Sequence, residues 1–72
     1  MTTRREEAEA MVRGASADTI DDMQRRGWTR CSEVLDESDA IVVAEDELGD
    51  ADYTVAVTRT CCGYIVWRTL TE

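Results

Sequence analysis

The sequence predicts an α+β domain: two short N-terminal helices packed on one face of a three- or four-stranded antiparallel sheet. Three observations predict it. Tyr53, Val55 and Val57 alternate with Thr54, Ala56 and Thr58, the period of a half-buried strand, and Tyr64 to Leu70 supplies a second run rich in β-branched and aromatic residues. Before residue 28, apolar residues recur at helical spacing behind capping signals. The connections are short, which favours antiparallel neighbours and helices gathered on one side.

The first helix starts at Thr3-Arg4-Arg5-Glu6, which fits a capping box. Ala8, Met11, Val12 and Ala15 fall on one stripe, and Gly14 is placed to end the helix as a left-handed residue. Ser16 is the expected N-cap of the second helix, with Asp18 in its first turn and Ala17, Ile20 and Met23 as its apolar face. Asp21→Arg25 and Asp22→Arg26 are i,i+4 pairs in the favourable order. Gly27 and Trp28 then fit a Schellman ending that packs Trp28 on Met23, making Trp28 a core anchor.

Trp28 to Leu35 reads either as a first strand, with Cys31 and Leu35 on one face and Trp28 and Val34 on the other, or as partly helical. Asp36-Glu37-Ser38-Asp39 reads as a polar turn, Ala40 to Ala44 as a strand from its Ile41-Val42-Val43 run, and Glu45 to Asp52 as an acidic loop. The closing hairpin turns at Thr60-Cys61-Cys62-Gly63, where glycine in last position suits a left-handed residue closing a type I turn.

The 72 residues are expected to form one domain, 1–72. A core of this size leaves only ~3–5 kcal/mol of net stability without a staple, which points to self-association as support. Sixteen acids oppose eight bases, all arginine, for a net charge of -8. Such a balance argues against direct nucleic-acid binding and against an anionic membrane surface, and favours a basic protein partner. The Met1-Thr2-Thr3-Arg4 start has no apolar stretch of a signal peptide, and no apolar run spans a bilayer, so a cytoplasmic location is expected.

Half of the sixteen acids fall between positions 36 and 52, a stretch without a base: Asp36, Glu37, Asp39, Glu45, Asp46, Glu47, Asp50 and Asp52. They read either as a solvated rim or as a docking surface for a basic groove, where complementary charge speeds association and selects the partner. Read as flanks of one five-residue strand, the two acidic groups lie ~17 Å apart. Asp46 to Asp52 lacks the residue order of a calcium-binding EF-hand loop, so no metal is expected. Tyr64 and Trp67 complete the candidate partner-binding set, because opposite pleats put one of these aromatics on the less covered sheet face. With Arg68 nearby, that face would serve a protein partner or a homodimer seam.

Enzymatic inventories fail. Without histidine there is no Ser-His-Asp triad and no base for a catalytic thiol, and no glycine-rich phosphate loop is present. Neither a catalytic residue nor a cofactor is expected. Cys31, Cys61 and Cys62 read as free thiols, or alternatively as a metal or redox sensor completed across a dimer.

In size, acidity and lack of a catalytic inventory, the chain resembles small phage-encoded inhibitors of bacterial defence of the anti-CRISPR type. That resemblance implies a non-catalytic inhibitor acting in the host cytoplasm, with a Cas effector subunit as target and the 36–52 carboxylates meeting cations that otherwise hold RNA or DNA. The competing expectation is an acidic housekeeping protein of a halophile, whose charge serves solubility alone.

Overall fold

The computed structural model describes residues 2–71; Met1 and Glu72, the ends of the predicted 1–72 domain, lie outside them. The elements run α1 (Arg4–Arg13), α2 (Ile20–Arg25), β1 (Thr29–Arg30), α3 (Glu37–Leu48), β2 (Tyr53–Arg59) and β3 (Tyr64–Leu70). The fold is mixed α+β, with a three-stranded antiparallel sheet in the order β1-β3-β2.

The hairpin forms where its alternation placed it, with Tyr53 opposite Leu70 and Arg59 opposite Tyr64. Its turn is closed by the Thr60 N–H donating to the Gly63 carbonyl at 2.7 Å. Gly63 does not adopt the expected left-handed turn geometry: its φ of 159° is nearly extended. Glycine is needed there for space, because a Cβ would run into the Leu35 carbonyl, which accepts from the Tyr64 N–H at 2.8 Å.

Residues paired across the ladder share a face. Val55, Val57 and Val66 lie on one side and pack with Ala8 and Val12 of α1 and with Ala40, Ile41 and Ala44 of α3. Ile65 and Trp67 lie on the other side with Met23 of α2, backed by Trp28 and Ala56. The two N-terminal helices therefore do not share one face as expected; the sheet carries helical residues on both. Each fully buried Val or Ile here contributes roughly 1.5–3 kcal/mol of transfer free energy, and the split core explains why the strands are apolar on both pleats.

Helix α1 is capped by the Thr3 hydroxyl, which accepts from the Glu6 N–H at 3.1 Å, but the Glu6 carboxylate takes its bond from that hydroxyl, so the capping box closes side chain to side chain. Gly14 ends the helix at φ -99°, not in the left-handed region that the sequence suggested. The second helix starts later than expected. Thr19, not Ser16, is its N-cap and accepts from the Asp22 N–H at 3.1 Å. The Ser16 carbonyl accepts from the Arg59 N–H at 2.7 Å, a short parallel bridge that covers part of the β2 edge.

The Schellman ending of α2 is present. Gly27 sits at φ 90°, Trp28 N–H donates to Met23 O at 3.1 Å, and Gly27 N–H donates to Gln24 O at 3.1 Å. The 28–35 segment resolves as a two-residue strand whose pairing with β3 continues irregularly. Cys31 N–H donates to Val66 O, the Ser32 hydroxyl accepts from Val66 N–H, and Leu35 rejoins at Tyr64.

The largest departure is residues 36–48. The Ala40–Ala44 run predicted as a strand lies inside α3, the predicted 36–39 turn is its first turn, and the predicted 45–52 loop shrinks to the residues after Leu48. Ala40, Ile41, Ala44 and Leu48 recur at a helical period and turn inward. The Asp36 carboxylate accepts from the Asp39 N–H at 2.8 Å and caps the helix. Burial of that stripe outweighs the small helix penalty of three consecutive β-branched residues.

Candidate docking surface

Helix α3 runs antiparallel to α1, since Arg5 pairs with Glu45 at 3.4 Å and Arg13 with Glu37 at 3.9 Å. Glu9 of α1 joins both arginines, at 3.2 and 3.4 Å, so alternating charges run as one ladder: Glu45, Arg5, Glu9, Arg13, Glu37. The last turn of α3 holds acids and no base of its own, an unfavourable match to its dipole. Arg4 and Arg5 supply the missing cations from the neighbouring helix; the Arg4 guanidinium lies against Gly49, the C-cap of α3.

These contacts sort the eight predicted carboxylates. Glu37, Glu45 and Glu47 hold ion pairs, the last with Arg68 at 3.3 Å. Asp36 caps α3, and Asp50 accepts from the Asp52 N–H at 3.0 Å. Asp39, Asp46 and Asp52 are exposed and make no ion pair with another described residue. The two acidic groups thus flank a helix, not a strand. At 1.5 Å per residue, Asp39 and Asp46 stand ~10.5 Å apart along its axis, two turns on one face.

Between them is Val42, which the sequence reading did not select and which is 54% exposed. It follows Asp39 by three residues and precedes Asp46 by four, so acid, apolar and acid form one outward strip. A shallow depression of about 250 Å³ lined by Arg4, Val42, Glu45 and Asp46 adjoins it. The helical register of 37–48 is what places Val42 on this surface.

Of the two predicted aromatics, Trp67 is the one that the structure removes from the surface. Trp67 is 0% exposed, with its indole N–H bonded to the Thr58 hydroxyl at 2.9 Å, so it presents no surface to a partner. Tyr64 is half-buried against the α1/α3 side of the sheet and paired through its backbone with Leu35. Arg68, the cation of that face, lies 4.4 Å from the Tyr53 ring centroid and is held by Glu47. Trp67 and Arg68 thus have their polar groups engaged within the chain.

The thiols are separated. Cys31 packs against the α1/α3 core, and burial, reinforced by the Glu47 charge, pushes its thiol up. Cys61 and Cys62 are exposed at the hairpin tip with their sulfurs 3.2 Å apart. Among the described residues no group of three or more His, Cys, Asp or Glu side chains is placed to hold a metal, and no helix is long and apolar enough to cross a membrane. No protein-family model, curated protein or solved structure matches the chain.

Proposed function

We propose that the protein is a non-catalytic binding module that docks the outer face of α3 onto a basic, nucleic-acid-binding protein and blocks that partner's groove. The observation that carries this reading is the Asp39–Val42–Asp46 strip. It holds two exposed carboxylates that make no ion pair with another described residue, set around an exposed aliphatic side chain on a capped helix. Carboxylates so placed attract a cationic groove and speed encounter, while the valine provides apolar contact once the surfaces meet. Asp36, Asp50 and Asp52 extend the negative field at either end. In keeping with the resemblance to anti-CRISPR inhibitors, the partner class proposed is a Cas effector subunit in the host cytoplasm.

The test is capture of partners on immobilised wild type beside Asp39→Lys/Asp46→Lys, with circular dichroism showing that the variant is folded. The expected result is a nucleic-acid-binding protein retained by wild type, released by added RNA or DNA, and lost from the variant. Equal retention by both proteins would overturn the α3 surface.

A further inference from the structure

The hairpin tip brings two exposed sulfurs to 3.2 Å, with no assigned role in docking. Their backbone is fixed. The Thr60 hydroxyl accepts from the N–H groups of Cys62 and Gly63, at 3.2 and 3.1 Å, and donates to the Gly63 carbonyl at 3.2 Å. Adjacent Cα atoms stand ~3.8 Å apart across a trans peptide, below the usual ~4.4–6.8 Å of a disulfide, so a direct S–S bond here is strained and readily reduced. A single atom bridging the two sulfurs avoids that strain.

The separation also suits a single bridging atom. Two sulfurs 3.2 Å apart that share a centre ~2.3 Å from each, the usual length of a zinc–thiolate bond, subtend about 90° there, short of the ~109° that tetrahedral zinc prefers. An angle near 90° is one that a pyramidal trivalent centre carrying a lone pair accepts, and thiolates are the ligands that soft centres select. Beside the pair, Cys61 joins Ala17, Asp18, Thr19, Ile20, Arg59 and Thr60 around a cleft of about 470 Å³. Ala17 and Ile20 give it an apolar wall large enough for an organic substituent.

We infer that Cys61 and Cys62, with the adjoining cleft, form a two-thiol binding site for trivalent organo-arsenicals. Capture needs no oxidant: two As–S bonds form, the As=O bond breaks, and the two thiol protons leave with the oxygen as water, arsenic staying trivalent throughout. Cys31 takes no part, being packed against the core on β1's side of the sheet.

The experiment is intact-mass spectrometry of the folded protein treated with phenylarsine oxide, using wild type, Cys31→Ser, Cys61→Ser and Cys62→Ser, each checked by circular dichroism. Wild type and Cys31→Ser are expected to carry one phenylarsenic in place of two protons, stable to excess 2-mercaptoethanol and removed by 2,3-dimercaptopropanol. Cys61→Ser and Cys62→Ser are expected to lose that monothiol-resistant adduct. No resistant adduct on wild type, or one that survives in either tip variant, would overturn the site. The cleft is tested by Ile20→Ser, expected to weaken retention of phenylarsine oxide against the competing dithiol while leaving inorganic arsenite unchanged; equal effects on both would remove the cleft from the site.

Discussion

The indole N–H of Trp67 donates to the Thr58 hydroxyl at 2.9 Å across the β2–β3 hairpin, and both residues are buried, at 0% and 2% exposure. They are diagonal neighbours, since Trp67 pairs with Ala56 and Thr58 with Ile65. This bond lets the largest side chain in the core bury its polar edge without leaving a donor unsatisfied. It also explains why Trp67 is unavailable as a binding residue.

Thr58→Val keeps the side-chain shape and removes the acceptor. The expected loss is about 1–3 kcal/mol, the cost of a buried donor without a partner, read as a lower urea midpoint at unchanged slope. Stability equal to wild type would show that the indole N–H finds another acceptor.

Gly63→Ala places a methyl group against the Leu35 carbonyl, where Leu35 and Tyr64 exchange backbone hydrogen bonds. The expected destabilisation exceeds ~1 kcal/mol because backbone must shift. Amide exchange should quicken at Leu35 and Tyr64 before it does at Thr54 and Thr69. Uniform quickening would contradict a local clash.

Arg26 lies 3.0 Å from Asp18, and the Ser16 hydroxyl donates to the same carboxylate at 2.9 Å. The bond to Arg26, helped by Ser16, holds the Asp18 carboxyl below its ordinary 3.8. A depressed carboxylate stabilises the fold above its ordinary value and loses that contribution as pH falls through the lowered one. The melting-temperature gap between wild type and Asp18→Asn should therefore be constant above about pH 5 and close on acidification. A gap that persists into strong acid would contradict the role given to Asp18.

The Glu45–Arg5–Glu9–Arg13–Glu37 ladder offsets part of the acidity within the molecule. The fold is expected to persist at ~0.1 M salt, where the Debye length is still ~10 Å. Unfolding on dilution to that ionic strength, monitored by circular dichroism, would favour the halophile reading over the docking one.

Local signals carried the hairpin and the α2 ending, because turn chemistry, pleat alternation and the Gly27–Trp28 cap depend on neighbours in the chain. The 36–48 segment reads as turn, strand and loop in sequence because Ile41-Val42-Val43 has strand propensity. Its helical period emerges only when Ala40 and Ala44 count as apolar and Asp36 as a cap. In a strand, Val42 would not share a face with both Asp39 and Asp46. The burial of Trp67 was likewise illegible: the pleat could assign its face, but not that Met23 and Trp28 would cover that face.

The most direct test of the docking account is competition. The captured partner, purified, is mixed with its labelled nucleic acid, and anisotropy is followed as the acidic protein is added. Wild type should displace the nucleic acid, with displacement weakening as salt rises, while Asp39→Lys/Asp46→Lys should fail at the same concentrations. A ternary complex with the nucleic acid still bound, or equal displacement by the variant, would contradict the claim that the outer face of α3 occupies a nucleic-acid groove.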